Sequence, residues 1–553
     1  MAINSSQAID LLIVGGGLGG VAATLSALDN GLNVILTEET DWLGGQVTSQ
    51  AVPPDEHPWI EDHGGNASYR RFRNGIRKFY QRNYPLETHE LSNVLFNPGR
   101  AKVSNLSHEP RIAEFVINEM LAAGVSSQRL KVFKQVQPVA VETSGDRIVG
   151  VSFLDRSTGN AIFLDAAFVL DATETGDLLE LAKIGHVTGA EGRNATGELH
   201  AISLEPRPLN VQAITWVAAL GFDKNCPEQS DQYRIAKPAL YDYWKEYRPQ
   251  LSPPWPGRLL DWSYTNPFSL RPVERTLFPD FWHYRRIVAE QNFKAPEKWN
   301  EASILNWPQN DYLEHDIICC TPEEREIRFE RARQLTLSLV YWLQNEAPRM
   351  DGGEGFAGIH LRPDITGTPD GLAKGPYIRE ARRIKALRTV TELDIGVKAR
   401  EGRRPDPVHD SVGTGYYRID LHPTTEGDNY VDVESFPFQI PLGALISPQF
   451  SNFLPAAKNI GTTHISNGCF RLHPVEWNIG EAAGSLAAYC LAYRLSPQAV
   501  YEDRRKLSDF QAHLIAQGAQ LEWNDSILNE HQATHMIRQP DSLRESVLSG
   551  STR

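Results

Sequence analysis

Nowhere in the sequence do apolar residues run for the roughly 18 positions that a membrane-spanning helix needs. A membrane-embedded function is therefore not expected. Positive charge is also short: 55 lysines and arginines against 69 acidic residues leave a net charge of −14, which repels phosphate backbones and anionic membrane surfaces. Nucleic acid is not an expected partner. No lysine or arginine precedes Arg70, so the positive start of a secretory signal is missing and the expected location is cytoplasmic. Cysteine is scarce, and Cys226, Cys319, Cys320, Cys469 and Cys490 form no C-x-x-C and no metal-ligand spacing. That excludes a dithiol redox centre of the usual spacing and a cysteine metal site. The adjacent Cys319 and Cys320 are expected to be buried thiols, because a disulfide between neighbours requires strained geometry. There is no internal repeat and no low-complexity tract. What remains, at 41% hydrophobic and 22% charged residues, is the composition of a globular protein large enough for two or three domains.

The most informative stretch is "DLLIVGGGLGGVAATLSALDNGLNVILTEE", Asp10 to Glu39. "DLLIV" is a short apolar run ending directly in Gly15, the pattern of a buried parallel strand. Gly15, Gly17 and Gly20 complete G-x-G-x-x-G, and the residues after them are apolar at helical spacing until Gly31. Gly15 would permit the tight turn, Gly17 would leave room for a pyrophosphate, and Gly20 would let helix pack close on strand. The N-terminus of that helix offers free N–H groups and partial positive charge. A second strand, "NVILTE", ends at Glu38, where a carboxylate would meet an adenosine ribose and repel a 2′-phosphate. The same pattern recurs in "GEGFAG", Gly353 to Gly358, but no strand precedes it. That second match reads as a loop.

Further along, "LKVFKQVQPVAVETSGDRIVGVSFLDRSTGNAIFLDAAFVLDATETGD" reads as a β-meander followed by a strand and a Thr175-Gly176-Asp177 turn. Near the end, "NFLPAAKNIG" is strand-like, and "VEWNIGEAAGSLAAYCLAYRL" is a helix whose small residues permit close packing. With "LGGQ" after the second strand, this set resembles the FAD-binding domain of the glutathione-reductase-like flavoprotein superfamily. "GPYIREARRI", "YYRIDLHP", "FQIPLGALI" and "RLHPVEWNIGEAAG" are similar to a bacterial family of FAD-dependent oxidoreductases related to the flavin subunit of heterodisulfide reductase.

The resemblance implies an α/β fold: a Rossmann-like FAD-binding domain of the glutathione-reductase type, split in sequence, with an inserted α+β substrate domain. The expected division is 1–205 (with a helical insertion near 60–108) and 436–500 for the FAD domain, 206–435 for the substrate domain, and 501–553 for a helical extension and a polar tail. It also implies FAD, held without covalent attachment. Gly15, Gly17, Leu18, Gly19 and Gly20 would face the pyrophosphate, Glu38 and Glu39 the adenosine ribose, and Gly44, Gly45 and Gln46 the diphosphate side. The Val136 backbone would meet adenine, and Thr173, Thr175, Gly176 and Asp177 would close the nucleotide site. Gly461, Glu476, Asn478 and Ile479 would flank the ribityl chain and ring. Many relatives read "AGR" where this chain reads "AAKNIG", which leaves the contact near Lys458 or Asn459 open.

Pro474 suits the first turn of a helix. If that helix points at the flavin's pyrimidine edge, as the resemblance implies, its N–H groups stabilise charge on a reduced ring. Arg471 and His473 lie one residue apart in the loop before it. They read either as a substrate anchor and a base removing an O–H or N–H proton, or as loop-bracing groups. Tyr377, Arg379, Arg382 and Arg383 form a second cluster, read either as a substrate site or as a solvated helix face paired with Glu380. Asp420 and His422, two apart, share one face of a strand and read as a pocket pair or a strand-edge pair. "YRRFRNGIRKFYQRNY" reads as an amphipathic helix with Phe72, Ile76, Phe79 and Tyr80 inward and arginines outward. The "LNWPQNDY" turn has no assignable role. The leading expectation is oxidation of a small organic molecule by hydride transfer to FAD, with oxygen or an external acceptor reoxidising it; the rivals are a flavin monooxygenase and a non-enzymatic FAD-fold binding protein.

Overall fold

The computed structural model describes residues 9–261, 280–349 and 351–537. A strand β1 (Leu11–Val14) runs fully buried into Gly15 and then into helix α1 (Leu18–Asp29). β2 (Val34–Glu38) and β3 (Leu130–Lys134) follow it on one side. On the other side lie the strands Phe168–Asp171 and Phe453–Pro455, so that all five form one parallel sheet centred on β1. Its register sets Val14 beside Thr37 and Asp171, which collects polar residues at the C-terminal edge of an apolar sheet. In open α/β sheets that edge is where ligands bind, at the point where strand order reverses.

The last strand comes from the far end of the chain, and the second helix after it, His473–Tyr493, packs along α1. This close approach is made by glycine. A Cβ on Gly480 would fall 2.0 Å from the Gly19 carbonyl oxygen, and one on Gly484 would fall 2.4 Å from that of Ala23. The small residues expected to allow tight packing do so here.

The expected β-meander is a three-stranded antiparallel sheet, Val136–Ser144, Arg147–Asp155 and Ala161–Asp165. A separate four-stranded sheet orders Arg286–Val288, Ala302–Leu305, Ala218–Phe222 and Ile359–Leu361. It packs with the long helix Pro322–Asn345, whose Thr321 and Glu324 form a reciprocal capping box. Trp216, Trp244, Tyr312 and Trp342 fill the core here, so the aromatic richness of this region is largely structural. Residues 353–358 form a loop after that helix, as expected of the second glycine match.

Three expectations are corrected. "PYIREARR" is not helical, and the solvated-face reading of Arg382 and Arg383 does not hold: both are buried, as is Arg379. The predicted amphipathic helix exists (Ala67–Asn83), but its Arg73 and Arg77 face inward, because Glu56 and Glu61 on the preceding loop pair with them. Cys319 is exposed and Cys320 half-buried; both thiols are free, standing in the turn that enters the long helix. The expected tail beyond 537 lies outside the described residues.

Candidate functional site

The chain turns at Gly15 with φ +105°, and a Cβ there would lie 2.2 Å from the Ala172 carbonyl oxygen. Only glycine meets both conditions. A Cβ on Gly20 would fall 1.9 Å from the Gly15 carbonyl oxygen, so helix and strand meet as the spacing predicted. Gly17 and Gly45 line a cleft of about 1070 Å³, its open mouth included, that also takes in Glu38, Glu39, Val136, Thr173, Thr175 and Asp177. The family resemblance implies all of these around one nucleotide.

Two charged groups complete this cradle. Lys458, fully buried, pairs with Glu174 and stands 3.7 Å from Glu476. Burial alone would lower its pKa, but the two carboxylates outweigh burial and hold it cationic. The Glu174 carboxylate occupies the space into which Gly17 and Gly45 open, lying 2.9 and 2.7 Å from where their side chains would begin. An anion therefore already sits at the mouth of α1. Glu476 Oε1 accepts from the Gly19 N–H at 3.4 Å, and Gln46 donates to Glu476 Oε2 at 2.6 Å.

Glu38 accepts from the Gly16 N–H at 3.0 Å and from Thr40 N–H and hydroxyl at 2.9 and 2.8 Å. Burial nevertheless pushes its carboxyl up to about 7, and burial with Asp177 nearby pushes Glu39 up to about 8. Thr173 and Asp171 brace the turn, with the Asp177 N–H donating to the Thr173 hydroxyl at 2.7 Å. Gly461 packs against the chain near Arg388, its missing Cβ 2.4 Å from the Arg388 carbonyl oxygen, and Asn478 donates to the carbonyls of Gly64 and Thr414. Ile479 is buried within the same helix.

At the start of the helix His473–Tyr493 the polar residues expected from "RLHP" come together. The Asp55 N–H donates to His473 Nδ1 at 3.0 Å. A neutral imidazole that accepts at Nδ1 carries its proton on Nε2, and that nitrogen is buried with no partner among the described residues. Burial depresses the ring's pKa to about 3, so the neutral form persists. His473 is thus arranged as a donor, which differs from the base considered in the sequence reading. Arg471 donates to the Tyr377 hydroxyl at 3.2 Å and to Asp420 at 3.1 Å, while its Nε is buried with no partner among the described residues. Arg285 pairs with Asp55 at 2.9 Å, and its Nε also has no partner among the described residues. Tyr377, Asp420 and Arg471 therefore form one cluster, whereas Arg382 and Arg383 do not join it: they pair with Asp177 and with Glu380 and Glu191.

Sequence reasoning missed Glu174, Asp55, Arg285 and Asp311. Asp311 comes from the "LNWPQNDY" turn, forms an ion pair with Arg379 at 3.1 Å and shares hydrogen bonds with His422 and Tyr430 at 2.6 and 3.2 Å. The density of polar residues in that turn was the available signal; their partners, distant in sequence, were not visible.

Residues 10–514 match the family model described as FAD dependent oxidoreductase. No curated protein sequence matches the chain. Among solved structures, it is similar to the p-nitrophenol 4-monooxygenase of Pseudomonas putida DLL-E4, at 10% identity over 98% of this chain and 97% of that one, with a TM-score of 0.37. A myxobacterial chondrochloren halogenase gives 12% identity over 98% and 92%, with a TM-score of 0.33. The glycerol-3-phosphate dehydrogenase of Bacillus halodurans, complexed with FAD, gives 14% identity and a TM-score of 0.22; the match spans 39% of this chain and 40% of that enzyme's length.

Proposed function

Because the chain belongs to the FAD dependent oxidoreductase family, we propose that it oxidises a small organic molecule by delivering a hydride to one non-covalent FAD, which oxygen or an external acceptor then reoxidises. The observation that carries this reading is the set of buried donors around Asp55 that have no partner among the described residues: His473 Nε2, Arg471 Nε and Arg285 Nε. Leaving such groups unpaired costs about 1–3 kcal/mol each, more for charged ones, so the site is built to receive an acceptor-rich group.

The cleft residues fit the cofactor. Gly17 and Gly45 leave room for the diphosphate, α1 offers its N–H groups, Lys458 supplies the countercharge, and Glu38 and Glu39 stand at the ribose. Glu174, with its side chain 26% exposed, swings toward solvent to admit the phosphates. Gln46, Glu476, Asn478 and Ile479 would border the ribityl chain and ring. When bound, FAD supplies two-electron acceptance at the ring end of the cleft. Around that end, Arg471 and Tyr377 anchor the substrate, Asp55 fixes the His473 tautomer, and His473 Nε2 donates to the acceptor that gains charge.

Purified protein is expected to carry one FAD per chain, released by denaturation, and to bleach anaerobically with its substrate. Gly17→Val, which aims a branched side chain at Glu174 and the phosphate position, is expected to give colourless folded protein. Wild type without FAD, or a Gly17→Val variant that retains it fully, would overturn the reading.

A further inference from the structure

The Asp311 carboxylate, fully buried, receives donors from three directions. Burial would raise its pKa, but Arg379 and His422 outweigh burial and hold it ionised, at about 2. An ionised carboxylate can only accept, so His422 Nδ1, 2.6 Å away, must donate. The Tyr430 hydroxyl, 3.2 Å from the same oxygen, and the backbone bond from His422 N–H to Gln212 Oε1 at 3.2 Å fix the ring's place.

With its proton on Nδ1, neutral His422 presents a lone pair at Nε2. What faces that lone pair is another acceptor: Asp420 Oδ2, 3.8 Å away and itself bound by Arg471. Two acceptors do not bond each other. Across 3.8 Å they can share a third group only if it brings hydrogens. Both side chains remain about 18% exposed, so a ligand can reach them. Asp420 and Arg471 connect this point to Tyr377 and thus to the donor set beside His473.

We propose that His422, aligned by Asp311, is the base of this enzyme, and that its substrate is an alcohol or amine whose O–H or N–H lies between His422 Nε2 and Asp420. This deepens the proposed oxidation and rests on it. The O–H or N–H proton passes to His422 Nε2, a C=O or C=N double bond forms, and the C–H hydrogen leaves with its electron pair for the oxidised FAD that the family supplies. An aligned Asp–His pair is a recurring solution to this task, because the carboxylate fixes the tautomer and stabilises the imidazolium that forms.

The charged and titratable groups facing His422 are Asp311, Arg379 and Tyr430 on one side and Asp420, backed by Arg471, on the other. Burial and Arg379 lower its pKa below the ordinary value despite Asp311, so it stays neutral and able to accept at pH 7. As pH falls through that lowered value, the base is lost.

The test is anaerobic stopped-flow reduction of the holoenzyme by a panel of primary and secondary alcohols and amines. At least one is expected to bleach the wild-type flavin, with an acid limb in the reduction rate lying below about pH 6.5. His422→Asn, which keeps an N–H donor toward Asp311, is expected to slow reduction by about 100-fold to 10,000-fold and to abolish the acid limb, with FAD content and reoxidation unchanged. A panel in which no alcohol or amine bleaches the flavin overturns the proposal, as does a variant reduced at the wild-type rate or one slowed with the limb unmoved. Where neither His422→Asn nor His422→Gln retains its flavin, the wild-type profile decides: a rate flat from about pH 5 to 8 overturns it. Bleaching by other compounds alone would defeat this inference while sparing the proposed hydride transfer, whereas protein that binds no FAD would defeat both.

Discussion

A fully buried ammonium survives in a protein only beside negative charge, and Lys458 has two carboxylates to keep it so. One of them, Glu174, fills the space into which Gly17 and Gly45 open, so under the proposed FAD reading it competes with the diphosphate for that space. Glu174→Gln should therefore tighten FAD binding to the apoprotein by about tenfold, or ~1.4 kcal/mol, the net worth of one charge-assisted bond, and Lys458→Met should weaken it at least as much. Fluorescence titration with FAD reads both, and equal affinities in the three proteins would show that the pair lies outside the phosphate site. These two residues also mark how much a sequence discloses at this scale. Gly15, Gly17, Gly20 and Glu38 were legible because a local turn dictates their spacing. Lys458 stood in a segment that departs from its relatives, and its partner lies far away in "DATETGD". Arg73 reads as solvated, and Arg382 and Arg383 do so in one of two readings, because isolated arginines usually are; carboxylates brought against Arg73 and Arg383 by the fold reverse that rule.

Elements were more legible than their ends. β1, α1 and β2 follow from an apolar run, a glycine turn and helical spacing that all agree, and the late helix follows from Pro474 and a long run of small and apolar residues. "PYIREARR" carried good helix formers yet forms no helix, because its backbone pairs with other segments: the Tyr377 N–H bonds to Thr215 and the Arg382 N–H to Thr175. The contact between α1 and the late helix depends on backbone-to-backbone approach at Gly480, where even a methyl group would collide with the Gly19 carbonyl. Gly480→Ala is thus expected to cost about 1–3 kcal/mol or more through overpacking and, by shifting Gly19, to reduce FAD occupancy. Gly185→Ala, whose added Cβ would make ordinary contacts at 3.5–3.8 Å, should leave both melting temperature and flavin content unchanged. If the two variants melt alike, the helices are not locked as described.

The whole molecule joins the two ends of its sequence at one sheet, and the segment between them adds Trp216, Phe329, Lys374 and Ile378 to the lining of the cleft. The split was implied by family resemblance, and the strand Phe453–Pro455 takes its place beside Phe168–Asp171. The pairing of Asp311 with His422 and of Arg471 with Asp420 was not legible, since it depends on loops brought together only by the folded sheets. The most direct test of the account is the two-electron reduction potential of the bound FAD, measured in wild type and in Arg471→Gln. If the buried donors of Arg471 and His473 face the ring and stabilise charge on it, the wild-type potential lies above that of free FAD, and the variant falls by about 20–60 mV, the equivalent of losing one charged bond. A wild-type potential no higher than that of free FAD, unmoved by Arg471→Gln, would contradict the placement of the flavin on which the proposed chemistry depends.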